Sequence, residues 1–127
     1  MRRLGNRTQR KKGMKERGKK LENLRKVLQQ LTEFIYEAEE CPPEFYRFLD
    51  AMKNNIDIFF YVGNLGDEED TQYLVGVLKR DWNAAHGSET GVQNYDYGKE
   101  HPGADPGKSV YFAGMIAAVA NFFAASM

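Results

Sequence analysis

The chain has 127 residues, 42% hydrophobic and 13% aromatic, which fits one domain with its own core and excludes both a two-domain protein and a wholly disordered one. Its formal net charge of zero hides a split. Residues 1–20 hold Arg2, Arg3, Arg7, Arg10, Lys11, Lys12, Lys15, Arg17, Lys19 and Lys20 against Glu16 alone, while the other 107 residues carry 17 acids and 8 bases.

A cationic arm of this density attracts polyanions by Coulomb forces and counterion release. Gly5, Gly13 and Gly18 each cost a helix about 1 kcal/mol relative to Ala, so the arm is expected to be disordered when free. It runs into a charged segment with no apolar h-region, so no secretory signal is expected, and it lacks the apolar face of a transit peptide. The plain alternative is a solubilising tail.

From Leu21 the pattern changes. Leu21, Leu24, Leu28, Leu31, Ile35 and Ala38 recur at spacings of 3, 4, 3, 4 and 3, a helical seam widened by Val27 and Phe34. This helix is expected to begin as early as Met14 and to stop near Glu40, because Pro42 and Pro43 follow. A second helix is expected from Pro43, with Phe45, Phe48, Leu49, Met52, Ile56, Phe59 and Phe60 on its apolar stripe and Gly63-Asn64-Leu65-Gly66 breaking it. Asp67 is the expected N-cap of a third, followed by Glu68, Glu69 and Asp70 in its first turn. Tyr73, Leu74, Val77, Leu78 and Trp82 are its expected buried side, and Gly87 its end.

Residues 87–108 are rich in Gly, Pro, Asn and Asp and read as a loop, long for a compact domain and therefore functional or mobile. From Ser109 the chain is apolar on every side, with Phe112, Met115, Ile116, Val119, Phe122 and Phe123 opposite Ala113, Gly114, Ala117, Ala120 and Ala124. Such a helix belongs in an interior or a bilayer. The expected fold class is all-α: a single-domain four-helix bundle over residues 21–127, with a basic N-terminal arm at 1–20 and an apolar C-terminal core helix covered by the other three.

Chemical motifs are sparse. Gly107-Lys108-Ser109 resembles the end of a phosphate loop, but Gly103 leaves three residues where that loop needs four, and no buried strand precedes it. Ser109 is expected to cap the last helix. His86 and His101 stand in or beside the loop with Asp81, Glu89, Asp96, Glu100 and Asp105, yet no metal-ligand spacing joins them, so neither metal nor cofactor is expected. Cys41 is the lone cysteine; a free thiol fits a reducing, cytoplasmic compartment, and its expected role is that of a small apolar residue at a helix boundary. No nucleophile has an evident base, so the chain does not read as an enzyme. Tyr95 and Tyr97 can stack on unpaired bases or pack on the bundle, whereas Trp82 belongs to the core.

The favoured function is therefore non-enzymatic binding of nucleic acid or a ribonucleoprotein through the ten bases of the arm, as in a small regulatory, RNA-binding protein. The alternative is a protein-interaction module or inhibitor working through the acidic face of residues 21–70, where twelve acids meet four bases and Glu37, Glu40 and Glu44 are the chosen contacts. A third is a membrane tail anchor at Val110–Met127, eighteen residues without a charge but with Asn121, Gly114 and many alanines against it. Oligomeric state is left open.

Overall fold

The computed structural model describes the backbone of residues 2–62, 67–87 and 91–126, and the side chains of 16–62, 67–87 and 91–124. Four long helices form the bundle: α1 (Arg2–Ala38), α2 (Tyr46–Val62), α3 (Glu68–Gly87) and, after a one-turn α4 (Tyr97–Glu100), α5 (Pro106–Ser126). A 3₁₀ turn, Val92–Asn94, precedes α4. The described residues include no strand, so the all-α bundle expected from periodicity is the fold.

The core is organised around α1. Leu21, Leu24, Leu28, Leu31 and Ile35 are all buried, as a strict alternation of three and four residues demands of a helix with neighbours on one side. Helix α1 packs on α2 along one flank and on α5 along the other, while α3 packs on α2. Trp82 of α3 stacks on Phe123 of α5 with ring centroids 6.2 Å apart, which links the two outer helices. From α2 come Leu49, Met52, Ile56 and Phe59, with Phe45 buried just before its start.

The backbone of α1 is helical from Arg2, well before Met14, so residues 2–20 continue the first core helix. Helix α2 starts three residues after Pro43: Pro43 instead opens a turn in which the Tyr46 N–H donates to its carbonyl at 3.0 Å. The break expected at residues 63–66 lies outside the described residues. Asp67 caps α3 as expected, its Oδ1 accepting from the Asp70 N–H at 3.0 Å.

Other expectations need correction. Tyr73 is 76% exposed, because the seam of α3 runs Thr71, Leu74, Leu78, Trp82, Ala85 and a residue one position before Leu74 is rotated about 100° away from it. Helix α5 begins at Pro106, and its cap is Asp105, not Ser109: Asp105 Oδ1 accepts from the Gly107 N–H at 2.8 Å, and its carbonyl accepts from the Lys108 N–H at 2.9 Å. Those two first-turn amides are thus occupied. Cys41 stands at the helix boundary, as expected, in the bend after α1, but it is exposed.

Helix α5 supplies Phe112, Met115, Val119 and Phe123 to the core, at spacings of 3, 4 and 4, but it is not enclosed by the other three helices. Its small side, including Ala113, Gly114, Ala117 and Ala118, faces outward. Large side chains gain most from burial, so they turned α5 inward along one stripe.

Candidate functional site

Of the ten arm bases, Arg2, Arg3, Arg7, Arg10, Lys11, Lys12 and Lys15 lie outside the described side chains, although their backbone belongs to α1. Arg17, Lys19 and Lys20 are described, and all three are exposed on the last turn before the buried seam. Gly18 is buried among them, so the helix makes close contact with the bundle from there onward. Arg17 Nη1 stands 3.5 Å from Glu68 Oε1 in the first turn of α3, with both side chains about half exposed. The basic helix therefore leaves the bundle beside Asp67, Glu68, Glu69 and Asp70, four exposed acids that complement the positive end of α3.

A cleft of about 420 Å³ opens at this place. Arg17, Lys20 and Leu21 of α1 form one wall, Thr71, Gln72 and Val75 of α3 the other, and Phe122 of α5 closes the end. Thr71 is buried, and its hydroxyl donates to the Asp67 carbonyl at 2.7 Å, so its polar group is already satisfied.

Glu37, Glu40 and Glu44 are exposed at the opposite end of α1, with Glu44 paired to Arg47 at 3.3 Å. At 1.5 Å per residue that end is about 25 Å from Lys20 along the helix axis. The basic and acidic candidates are therefore separate surfaces. Among the described residues no three His, Cys, Asp or Glu side chains are placed together to hold a metal ion.

Three side chains that no local motif announces meet where α1 ends. Glu39 Oε1 accepts from the Tyr95 hydroxyl and lies 2.8 Å from His101 Nε2. A carboxylate can only accept, so that ring nitrogen carries the proton. Burial alone would raise the Glu39 pKa, but the hydrogen bonds from Tyr95 and His101 and the charge on His101 outweigh it and hold the carboxyl below its ordinary value. Tyr95 is displaced upward by burial and by the adjoining Glu39 carboxylate. The partners sit 56 and 62 residues away, which is why composition and spacing gave no hint of them.

This clasp settles where the two loop tyrosines go. Tyr97 is buried with its ring centroid 5.0 Å from Phe34, and Tyr95 meets Phe45 edge-on at 5.3 Å and Phe112 at 5.4 Å. They pack on the bundle and close the aromatic layer beneath the loop. Trp82 is core, as expected. At mid-bundle, Asp57 of α2 pairs with Arg25 of α1 and, at 3.3 Å, with Lys53; burial raises its pKa, but the two cations win and lower it.

The chain matches no family model, no curated protein and no solved structure.

Proposed function

We propose that this protein is a non-enzymatic binder of nucleic acid or of a ribonucleoprotein, holding the phosphate backbone along residues 2–20. The observation that supports this most is the charge split: ten bases and one acid occupy a stretch whose backbone runs without a break into the helix that carries the Leu21–Ile35 seam of the core. Nineteen residues of helix span about 28 Å, close to one turn of a nucleic-acid duplex, so the bases form a rod long enough to meet several phosphates at once. Phosphate contacts position a protein without reading sequence, and choice of target then falls to groups on the bundle.

The test is fluorescence anisotropy of labelled RNA and DNA against the full chain over a salt series. With six or more phosphates contacted, affinity should fall by roughly a thousandfold between 50 and 200 mM salt. A full-length variant with Arg2, Arg3, Arg7, Arg10, Lys11, Lys12 and Lys15 all changed to Gln should bind weakly and lose most of that slope. Equal binding by this variant, or no binding by the parent at low salt, ends the proposal.

One observation favours a second reading, attachment to a membrane through α5. Pro106–Ala124 is long and apolar enough to cross a bilayer. The core of a soluble protein hides such a helix; here Val110 is 72% exposed and the Ala/Gly side faces out. Flotation of the full chain with neutral phosphatidylcholine vesicles supports that reading; a chain that stays at the bottom of the gradient removes it.

A further inference from the structure

We propose that the cleft between α1, α3 and α5 receives one unpaired nucleotide of a strand held along the basic end of α1. This rests on the nucleic-acid reading above and adds to it a place where a base is bound. The cleft volume, about 420 Å³, falls in the range of sites that bury small ligands. Its walls are chemically two-sided. Arg17 and Lys20 stand at the rim, where a phosphate would meet two cations, and the interior offers Leu21, Val75 and the half-buried Phe122 ring as apolar partners for a planar base. Gln72 adds an amide that both donates and accepts, as the edge of any base requires. A hydrocarbon chain would make no use of that amide, which would stay bonded to water.

The position matters as much as the lining. Arg17, Lys19 and Lys20 are the last bases of the arm, so a strand following the arm toward the bundle arrives at this cleft. A duplex laid across the same place would bring two rows of phosphates against Asp67, Glu68, Glu69 and Asp70, whereas a single strand turning into the cleft brings one. Bases in a duplex are also stacked and paired, out of reach of a recess walled by three helices. The site therefore selects single strands. Glu68 pairs with Arg17 at 3.5 Å, an exposed and hence weak pair, and stands where the phosphate would bind. Removing that carboxylate should strengthen binding.

The experiment measures anisotropy of a labelled single-stranded RNA and a duplex of equal length with the full chain at 50 mM salt, alongside 4-thiouridine crosslinking mapped by mass spectrometry. The single strand should bind roughly tenfold more tightly than the duplex, the effect of one stacked base. Glu68→Gln should tighten the single strand about threefold or more, and Gln72→Ala should weaken it by a similar factor while leaving the duplex unchanged. Crosslinks should fall between Gln72 and Val75 or at Phe122. Gln72 is exposed, so its loss does not endanger the fold, and thermal melting of each variant checks this. Equal binding of both nucleic acids with no response to either substitution overturns the cleft proposal and leaves the arm reading standing. Failure of the unmodified chain to bind either nucleic acid overturns both. Binding of phosphatidylserine vesicles that responds to Gln72→Ala when RNA binding does not would make the occupant a lipid headgroup and also overturn it.

Discussion

A single carboxylate, Glu39, holds the connection between α3 and α5 against the end of α1. It takes two donors on one oxygen, and its own side chain is only 19% exposed, so water cannot fully replace either of them. Glu39→Gln removes the charge that makes these bonds strong, and a loss of about 1–3 kcal/mol is expected. Urea unfolding gives the total, and amide exchange should rise first at residues 92–104. The pH sign follows from the lowered native pKa. The unfolded chain takes up a proton at the ordinary glutamate pKa of about 4.3, before the folded chain does, so stability from Glu39 is complete above that pH. It is lost as pH falls from there through the lowered native value. Asp57 behaves alike, and stability measured from pH 6 to pH 2 should fall less steeply in Glu39→Gln than in the parent. Gly91 is the other residue on which the loop depends. Its backbone is ordinary extended chain, φ −86° and ψ 174°, but a β-carbon there would stand 2.6 Å from the His86 carbonyl oxygen and 2.7 Å from that of Ala85. Both are backbone atoms that cannot swing aside. Gly91→Ala should therefore lift the loop from the end of α3 at a cost of about 1–3 kcal/mol. Trp82, whose ring centroid is 5.2 Å from that of His86, supplies the fluorescence signal that reports it.

At the scale of elements, legibility followed periodicity. The seam of α1 could be read because five leucines and isoleucines repeat at 3 and 4 with charged residues between them, and every one of them is buried. Leu28→Ala, at 0% exposure on the central helix, should cost about 2–5 kcal/mol in urea unfolding. In α3 the same reasoning misplaced Tyr73, since an aromatic next to the seam has the right composition and the wrong angle. The start of α5 was missed because Asp-Pro-Gly reads as a turn, yet Asp as cap and Pro in the first turn also open a helix. Its orientation was hidden for a different reason. A helix with no polar face carries no signal for which side turns inward, and only the size difference between Phe112, Met115, Val119 and Phe123 and the alanines decides it. The two sides predict opposite outcomes. Met115→Ala should cost roughly 2–5 kcal/mol, and Ala118→Glu, on the outer side, no more than about 0.5 kcal/mol in water. If Ala118→Glu unfolds the protein or drives it from solution, that side is covered by something other than solvent. The clasp and the cleft were illegible because each is assembled from segments some fifty residues or more apart in sequence, which local spacing does not connect.

Across the whole molecule, the charge split makes each copy of the chain a partner for another. The arm carries an excess of nine positive charges and the remainder an equal excess of negative ones, so no net repulsion keeps copies apart. Within one molecule the only described arm-to-body ion pair is Arg17 with Glu68, at the point where the arm departs. The acids at Glu37, Glu40 and Glu44 lie at the far end of α1, about 25 Å from Lys20 along a rigid helix, where the same chain's arm cannot reach without melting the helix. The arm of a second molecule can. Such contacts are long-range and exposed, so ionic strength decides them: the screening length is about 30 Å at 0.01 M salt, comparable with the arm, and about 10 Å at 0.1 M. The chain should therefore associate head to tail at low salt and disperse as salt rises. Static light scattering over 10–300 mM salt reads this directly, with the scattering mass falling toward the monomer at the high end. The arm variant with seven Gln substitutions should stay dispersed throughout, and so should the parent when a short single-stranded RNA is added in excess, because RNA held as proposed would compete with the acidic surface for the same bases. A scattering mass that is independent of salt would mean that the positive end of one molecule does not pair with the negative body of another, and the acidic face would then be no competitor for the arm.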